Sequence, residues 1–288
     1  MNLQEYILEK SDSFEPKHIF ECGQCFRWNV QEDGSYIGIF GKNVMSVKKD
    51  NDKIIFKGIC DGNIKDICND YFDLDRDYNI IKKKLSSIDE FLKESINYGS
   101  GIRILNQNLW ECIISFIISA NNNIPRIKKI IERISKEYGD KILYDGKEYF
   151  TFPTPEQLAN ATVEDLRGLG LGFRDIRVYN TTRMILEKQV DLHRLEKVND
   201  SNEIREELLK LDGVGEKVAD CIMLFYTLKR LDVFPVDVWV RRVMNELYIK
   251  QADETKINKK EIRKIAEDKY KDLAGIAQQY LFYWKREA

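Results

Sequence analysis

The sequence predicts an α+β protein: an N-terminal antiparallel β-sheet domain followed by two helical subdomains. Three observations carry this expectation. Between residues 16 and 58, apolar and polar side chains alternate between short polar turns, the period of half-buried strands. From Tyr78 onward, apolar residues recur at helical spacing, with Ser, Thr, Asp or Asn at the starts. A glycine-punctuated corner, Gly213-Val214-Gly215, separates two of the helical runs. The domains are expected at 1–99, the antiparallel β domain, and 100–288, the helical domain.

In the first part, Phe26, Trp28 and Val30 alternate with Arg27 and Asn29, which reads as a strand. Asp33-Gly34 is a hairpin turn. Strands are expected at 36–40, 44–48 and 53–57, separated by Gly41-Lys42-Asn43 and Asp50-Asn51-Asp52. Residues 71–75 are expected to close the sheet. In the second part, Ser87-Ile88-Asp89-Glu90 reads as a capping box. Residues 109–119 are almost continuously apolar, so that helix is expected to be buried all round and to end at Asn121-Asn122-Asn123. Pro125 suits the first turn of a helix over 126–138. Thr154 and Thr162 cap two short helices. Leu169-Gly170-Leu171-Gly172-Phe173-Arg174 is a glycine-broken turn. Residues 204–211 form a helix with Ile204, Leu208, Leu209 and Leu211 as its apolar positions. The run 262–285 is helical, interrupted near 273–275.

At 288 residues the chain can bury a large core. It holds no apolar run of about eighteen residues, so no membrane span is expected. The first residues lack a basic start and a long apolar stretch, so no signal peptide is expected. A cytoplasmic (nucleoid-associated) or nuclear location follows. The six cysteines are scattered, and Cys22-Gly23-Gln24-Cys25 has no second pair nearby, which favours reduced thiols over a zinc site. Net charge is −2, so a generally basic nucleic-acid binder is excluded and a positive face has to be built locally. Arg126, Lys128, Lys129 and Arg133 form one candidate cluster; Lys229, Arg230, Arg241 and Arg242 form another.

The chemistry concentrates in 208–244. Gly213 and Gly215 end one helix, because glycine adopts the left-handed backbone a helix stop needs. The first N–H groups of the next helix have no internal partner. Together with the Gly213, Val214 and Gly215 amides they suit an anion such as phosphate. A bare corner stapled by Val214 would have the same sequence. Lys217 opens that helix at the positive end of its dipole, which disfavours a cation and so favours the nucleophilic neutral amine. A solvated lysine fits position 217 equally well on spacing alone. Asp237, twenty positions on and preceded by Pro235-Val236, reads as the N-cap of a further helix. A carboxylate fixed in this way can also stabilise positive charge on a sugar ring.

Hairpin, lysine and Pro-Val-Asp in this order resemble the helix–hairpin–helix, Gly/Pro–Asp superfamily of DNA glycosylases. The lysine marks its bifunctional branch, which also cleaves the strand. Gly213-Val214-Gly215-Glu216-Lys217-Val218-Ala219-Asp220-Cys221, with the helix–hairpin–helix at about 204–229, is similar to the 8-oxoguanine DNA glycosylase family in particular. The sheet and Cys22-Gly23-Gln24-Cys25-Phe26-Arg27-Trp28 resemble that family's N-terminal domain. The resemblance implies excision of 8-oxoguanine from duplex DNA by a monomer, without cofactor or metal. It implies Lys217 as nucleophile and Asp237 as its electrostatic partner. The Gly23 carbonyl would accept the N7–H of the oxidised base, Gln278 would read the pairing edge, and Phe282 and Cys221 would sandwich the ring. Asn121, Arg126 and Arg174 would hold the cytosine left behind, with Phe173 as the wedge in the vacated stack. The hairpin amides would hold a DNA phosphate.

The chain departs from the pattern in three places. Phe173 stands for a tyrosine, Trp239 for a histidine and Lys285 for an aspartate. The C-terminal cysteines of iron–sulfur relatives are missing, since Cys221 is the last cysteine. Core packing explains Cys221 and Phe282 equally well, a solvated helix face explains Gln278, and a strand edge explains Gly23. A monofunctional alkyl-base glycosylase and a non-catalytic DNA-binding module are the rival readings.

Overall fold

The computed structural model describes residues 2–10, 12–227, 229–253 and 256–287. Its N-terminal part is a five-stranded antiparallel sheet in the order β1-β5-β4-β3-β2. The strands are β1 (Leu3–Leu8), β2 (Trp28–Val30), β3 (Tyr36–Phe40), β4 (Asn43–Asp50) and β5 (Lys53–Ile59). Helix α1 (Pro16–Glu21) lies between β1 and β2. Neither β1 nor α1 was expected. β1 is an edge strand that keeps Leu3 and Ile7 exposed, so its alternation carries little contrast. α1 is too short to show a helical period, although Pro16 opens it and Ile19 and Phe20 are buried.

The sheet closes over an aromatic core. Trp28 stacks on Phe20 at 4.0 Å between ring centroids and donates from Nε1 to the Tyr71 hydroxyl at 3.0 Å. Its ring lies flat on Gly38, where a Cβ would come within 2.2 Å of it. The expected strand around Trp28 is shorter than the alternation suggested. Phe26 is buried outside it, and Val30 is exposed. Residues 71–75 do not form a strand. They end α2 (Ile64–Tyr71) and turn at Asp73, whose φ is 53°.

Helices α3 (Tyr78–Ser86) and α4 (Glu90–Tyr98) follow. Ser87 ends α3 rather than capping α4. Asp89 is the N-cap, accepting from the Leu92 N–H at 3.0 Å, because the shorter acidic side chain sits one residue before the helix. Both helices join the helical core, α4 against α15 (Ala274–Glu287). α5 (Leu109–Ser119) is buried except at Glu111 and Ser119, as its apolar run predicts. α6 (Ile124–Tyr138) starts at the Asn123 cap.

An unexpected hairpin, β6 (Lys141–Tyr144) and β7 (Lys147–Phe150), turns at Asp145-Gly146. The turn dipeptide was visible, but the strands are short and largely exposed. α7 (Pro155–Leu158) and α8 (Val163–Gly168) carry the expected caps at Thr154 and Thr162, each a complete capping box. Then come α9 (Asp175–Leu186), α10 (Leu192–Leu195), α11 (Ser201–Leu208), α12 (Glu216–Phe225), α13 (Val238–Met244) and α14 (Lys259–Tyr270). α11 ends three residues earlier than expected, and Leu211 sits in the following turn. A 3-10 turn, Lys271–Leu273, separates α14 from α15, at the predicted interruption.

Candidate active site

Five segments converge on one small cavity of about 50 Å³, α5 among them through Phe116. α12 contributes Lys217 and Cys221, one turn apart on one face. The start of α13 contributes Asp237, the loop after α1 contributes Gly23, and α15 contributes Gln278 and Phe282. All six residues expected to carry the catalysis and base recognition are thus brought together. A larger cavity, about 520 Å³ beside Trp110 and His193, contains none of them. We place the chemistry at the small one, because there Lys217 at the start of α12, the fixed Asp237 carboxylate and the Phe282 ring face one space.

The hairpin positions the lysine. Gly213 has φ 86°, and a Cβ there would lie 2.9 Å from the Arg177 side chain, so the turn packs directly on α9. Gly215 precedes α12 and offers no side-chain cap to it. Val214 turns inward and donates its N–H to the Leu211 carbonyl at 3.1 Å, so of the three hairpin amides it is already engaged. The Gly213 and Gly215 N–H groups have no backbone acceptor among the described residues. Gly215 is exposed, with open space around it. Behind Lys217, buried Asp220 accepts from Arg205 of α11 at 2.9 Å and from Arg263 of α14 at 3.1 Å. Burial pushes the Asp220 carboxyl up, with the two arginines opposing. Arg263 also donates to Glu216 at 2.9 Å, so the first half of α12 is fixed against its neighbours.

Lys217 Nζ lies 5.7 Å from the centre of the Phe116 ring. Burial pushes the Cys221 thiol up to about 11, while Lys217 pulls it down and Asp237 raises it, so all three share one electrostatic environment. Asp237 is half-buried and caps α13 as expected, its Oδ1 accepting from the Val240 N–H at 2.8 Å.

Gly23 has φ 84°, a backbone that favours glycine. Its loop is held from both sides. Buried Gln24 donates to the Ile19 and Arg103 carbonyls and accepts from the Leu105 N–H, each within 2.9 Å. Arg286, one turn beyond Phe282, donates to the Glu21 carbonyl and lies 5.0 Å from the centre of the Phe282 ring. Its Nη1 stands 3.1 Å from where a Cβ on Gly23 would be. Sequence reasoning missed Phe116, Gln279 and Arg286, which also shape this site. The i, i+4 spacing of Phe282 and Arg286 was the available signal.

The opposite-base residues lie at a rim beyond α5, which carries Phe116 into the cavity and ends before Asn121. Asn121 (φ 51°), Arg126 and Phe173 are exposed. Arg174 differs from expectation. It is 2% exposed, and its Nε, Nη1 and Nη2 donate to the carbonyls of Ala120, Leu171 and Asn121. It builds the wall of the rim, and its guanidinium lies 4.2 Å from the centre of the Phe173 ring.

One basic cluster also needs correcting. Lys229 is buried in an ion pair with Asp73 at 2.7 Å, so it is not part of a positive surface. Arg230 donates to the Val198 carbonyl. In the other cluster Lys128 donates to the Trp28 carbonyl and Arg133 to that of Leu169, while Lys129 is exposed.

Residues 6–113 match the N-terminal domain of 8-oxoguanine DNA glycosylases, and residues 114–271 match the helix–hairpin–helix, Gly/Pro–Asp superfamily of base excision DNA repair proteins. The chain belongs to the 8-oxoguanine DNA glycosylase family. It is accordingly a DNA glycosylase with lyase activity. The N-glycosylase/DNA lyase of Saccharomyces cerevisiae is 32% identical over 85% of this chain and 71% of its own length. The Clostridium acetobutylicum 8-oxoguanine glycosylase/lyase is 44% identical. Its structure with double-stranded DNA bearing cytosine opposite 8-oxoguanine superposes with a TM-score of 0.92, covering 100% of this chain and 98% of that one. Its apo form gives 0.90, covering 98% of both chains. Among the described residues no helix is long and apolar enough to cross a membrane, and no cluster of His, Cys, Asp or Glu could hold a metal ion.

Proposed function

We propose that this enzyme flips 8-oxoguanine out of duplex DNA, preferably opposite cytosine, and excises it by attack of Lys217 on C1′ of the deoxyribose. The convergence of Lys217, Asp237, Gly23, Cys221, Gln278 and Phe282 on one cavity supports the reading. As the C1′–N9 bond breaks, its electron pair leaves with the base, and the Asp237 carboxylate stabilises the cationic sugar. The Lys217 amine forms the new bond to C1′ and loses a proton. Ring opening gives a Schiff base. Loss of a proton from C2′ then expels the 3′ phosphate and breaks the strand. These steps need only the amine, the carboxylate and proton carriers.

Selectivity for the oxidised base rests on the Gly23 carbonyl. 8-Oxoguanine carries a hydrogen at N7 where guanine carries an acceptor. The hairpin holds a phosphate through the Gly213 and Gly215 amides and the start of α12, with Val214 serving as the inward staple. At the opposite base, cytosine offers O2 and N3 as acceptors. Arg126 is exposed and keeps most of its donors. Arg174 has committed three of five N–H groups to the backbone, so Arg126 carries the larger share of this recognition. Flipping costs a few kcal/mol.

Incubation with an 8-oxoguanine duplex, with and without borohydride, is the test. Strand cleavage 3′ to the lesion and a trapped covalent adduct are expected. Release of the base with no trappable adduct would replace this mechanism with a monofunctional one.

A further inference from the structure

Gln279 follows Gln278 on α15, lines the same cavity and is only 4% exposed. Its Nε2 donates to Gln278 Oε1 at 2.8 Å. Its own Oε1 is buried and has no hydrogen-bond partner. Buried polar atoms are normally satisfied, so an unmet acceptor on a cavity wall points to a donor that arrives with a ligand.

The pairing edge of a guanine-type base is rich in donors: N1–H and the two hydrogens of the 2-amino group, beside the O6 acceptor. Gln278 alone is poorly matched to it, because one lone pair of its Oε1 is already occupied by Gln279. The two amides together present the free lone pair of Gln278 and the unmet oxygen of Gln279.

We propose that Gln279 is a second reader of the flipped base. Its Oε1 accepts from the 2-amino group, while its Nε2 holds the Gln278 amide in the orientation that reads N1–H. The chemical class selected is then an oxidised purine with a 2-amino group beside a ring N–H. An adenine-type lesion has an acceptor at N1 and no 2-amino group, and its edge donor sits at position 6, so it leaves the Gln279 oxygen unmet. The inference rests on the function proposed above and adds its substrate determinant.

The test uses single-turnover excision from two duplexes, one carrying 8-oxoguanine and one carrying 8-oxohypoxanthine, which lacks only the 2-amino group. Cleavage of a preformed abasic site is measured alongside, since that step involves no base. The wild type is expected to excise 8-oxoguanine about tenfold faster than 8-oxohypoxanthine, the discrimination of roughly one neutral hydrogen bond. Gln279→Met, which keeps the volume and lacks the acceptor, is expected to equalise the two rates. Gln279→Ala is expected to give the same equalised ratio, so a packing defect in one variant does not decide the result. Slowing of both substrates by one factor, or an unchanged ratio in a folded variant, overturns the role of Gln279. A wild type that cleaves abasic sites but leaves 8-oxoguanine in place overturns both this inference and the proposed function.

Discussion

Replacing Asp237 with asparagine separates the two jobs this side chain can do. As a cap, Asp237 accepts one bond from Val240 at 2.8 Å, and asparagine makes that bond equally well. The only stability lost is the favourable placement of a negative charge at the start of α13, worth about 0.3–1 kcal/mol. Catalysis should suffer far more. In a half-buried site with an effective dielectric constant of about 20, a unit charge about 4 Å from a cationic sugar contributes about 4 kcal/mol. At about 1.4 kcal/mol per factor of ten, that is roughly three orders of magnitude in rate. The asparagine dipole restores part of it, so Asp237→Asn is expected to lose between about 10² and 10³ in excision rate, the range of a single lost electrostatic stabiliser. The assay is single-turnover excision from an 8-oxoguanine duplex, with urea denaturation run on the same preparation. A near-wild-type rate with unchanged stability would show that the carboxylate is only a cap.

Three further outcomes follow from the geometry. Lys217→Gln should abolish the borohydride-trapped adduct while the protein stays folded, since its packing against Phe116 is peripheral; normal trapping would remove Lys217 from the mechanism. Phe173→Tyr should sharpen the preference for cytosine over adenine opposite the lesion by up to about tenfold, because it adds one hydroxyl at an exposed wedge; equal rates for both partner bases in both proteins would refute the role of the rim. Asp73→Asn should destabilise the fold by about 3 kcal/mol, because it strands buried Lys229. Burial lowers Lys229 to about 7, with Asp73 opposing, so wild-type Lys229 is charged in the fold only below that pH. The loss in urea stability should therefore be larger below about pH 7 than above it, and a pH-independent loss would contradict an ionic role.

What was legible in the sequence had a local cause. The hairpin, the Asp237 cap, the Thr154 and Thr162 boxes and the buried α5 each follow from neighbours within one or two turns. The cavity itself was legible only through resemblance, since it joins α1, α5, α12, α13 and α15 across most of the chain. What was not legible depends on distant packing. Arg174 resembles a free donor until Ala120, Leu171 and Asn121 surround it. Lys229 resembles surface charge until Asp73 is folded onto it. The short helix α1 and the edge strand β1 bury too little in any one direction to leave a period.

The tightness of the site carries an energetic consequence. Its roughly 50 Å³ holds a few waters, whereas ligand pockets usually span about 300–1,000 Å³. On the proposed function a purine needs an expanded conformer, and half-buried Phe282 is one wall whose rotation would widen the cavity. The apparent dissociation constant for any extrahelical base is then the intrinsic one divided by the population of that conformer. The penalty is the same for damaged and undamaged bases, so it adds no selectivity of its own. On the proposed function it lowers the occupancy of every extrahelical base by one factor, so a base that gains nothing at Gly23 is held only weakly. A smaller side chain at position 282 would raise the open population while giving up the ring contact that the proposed function assigns to Phe282, so its two effects on base binding oppose each other.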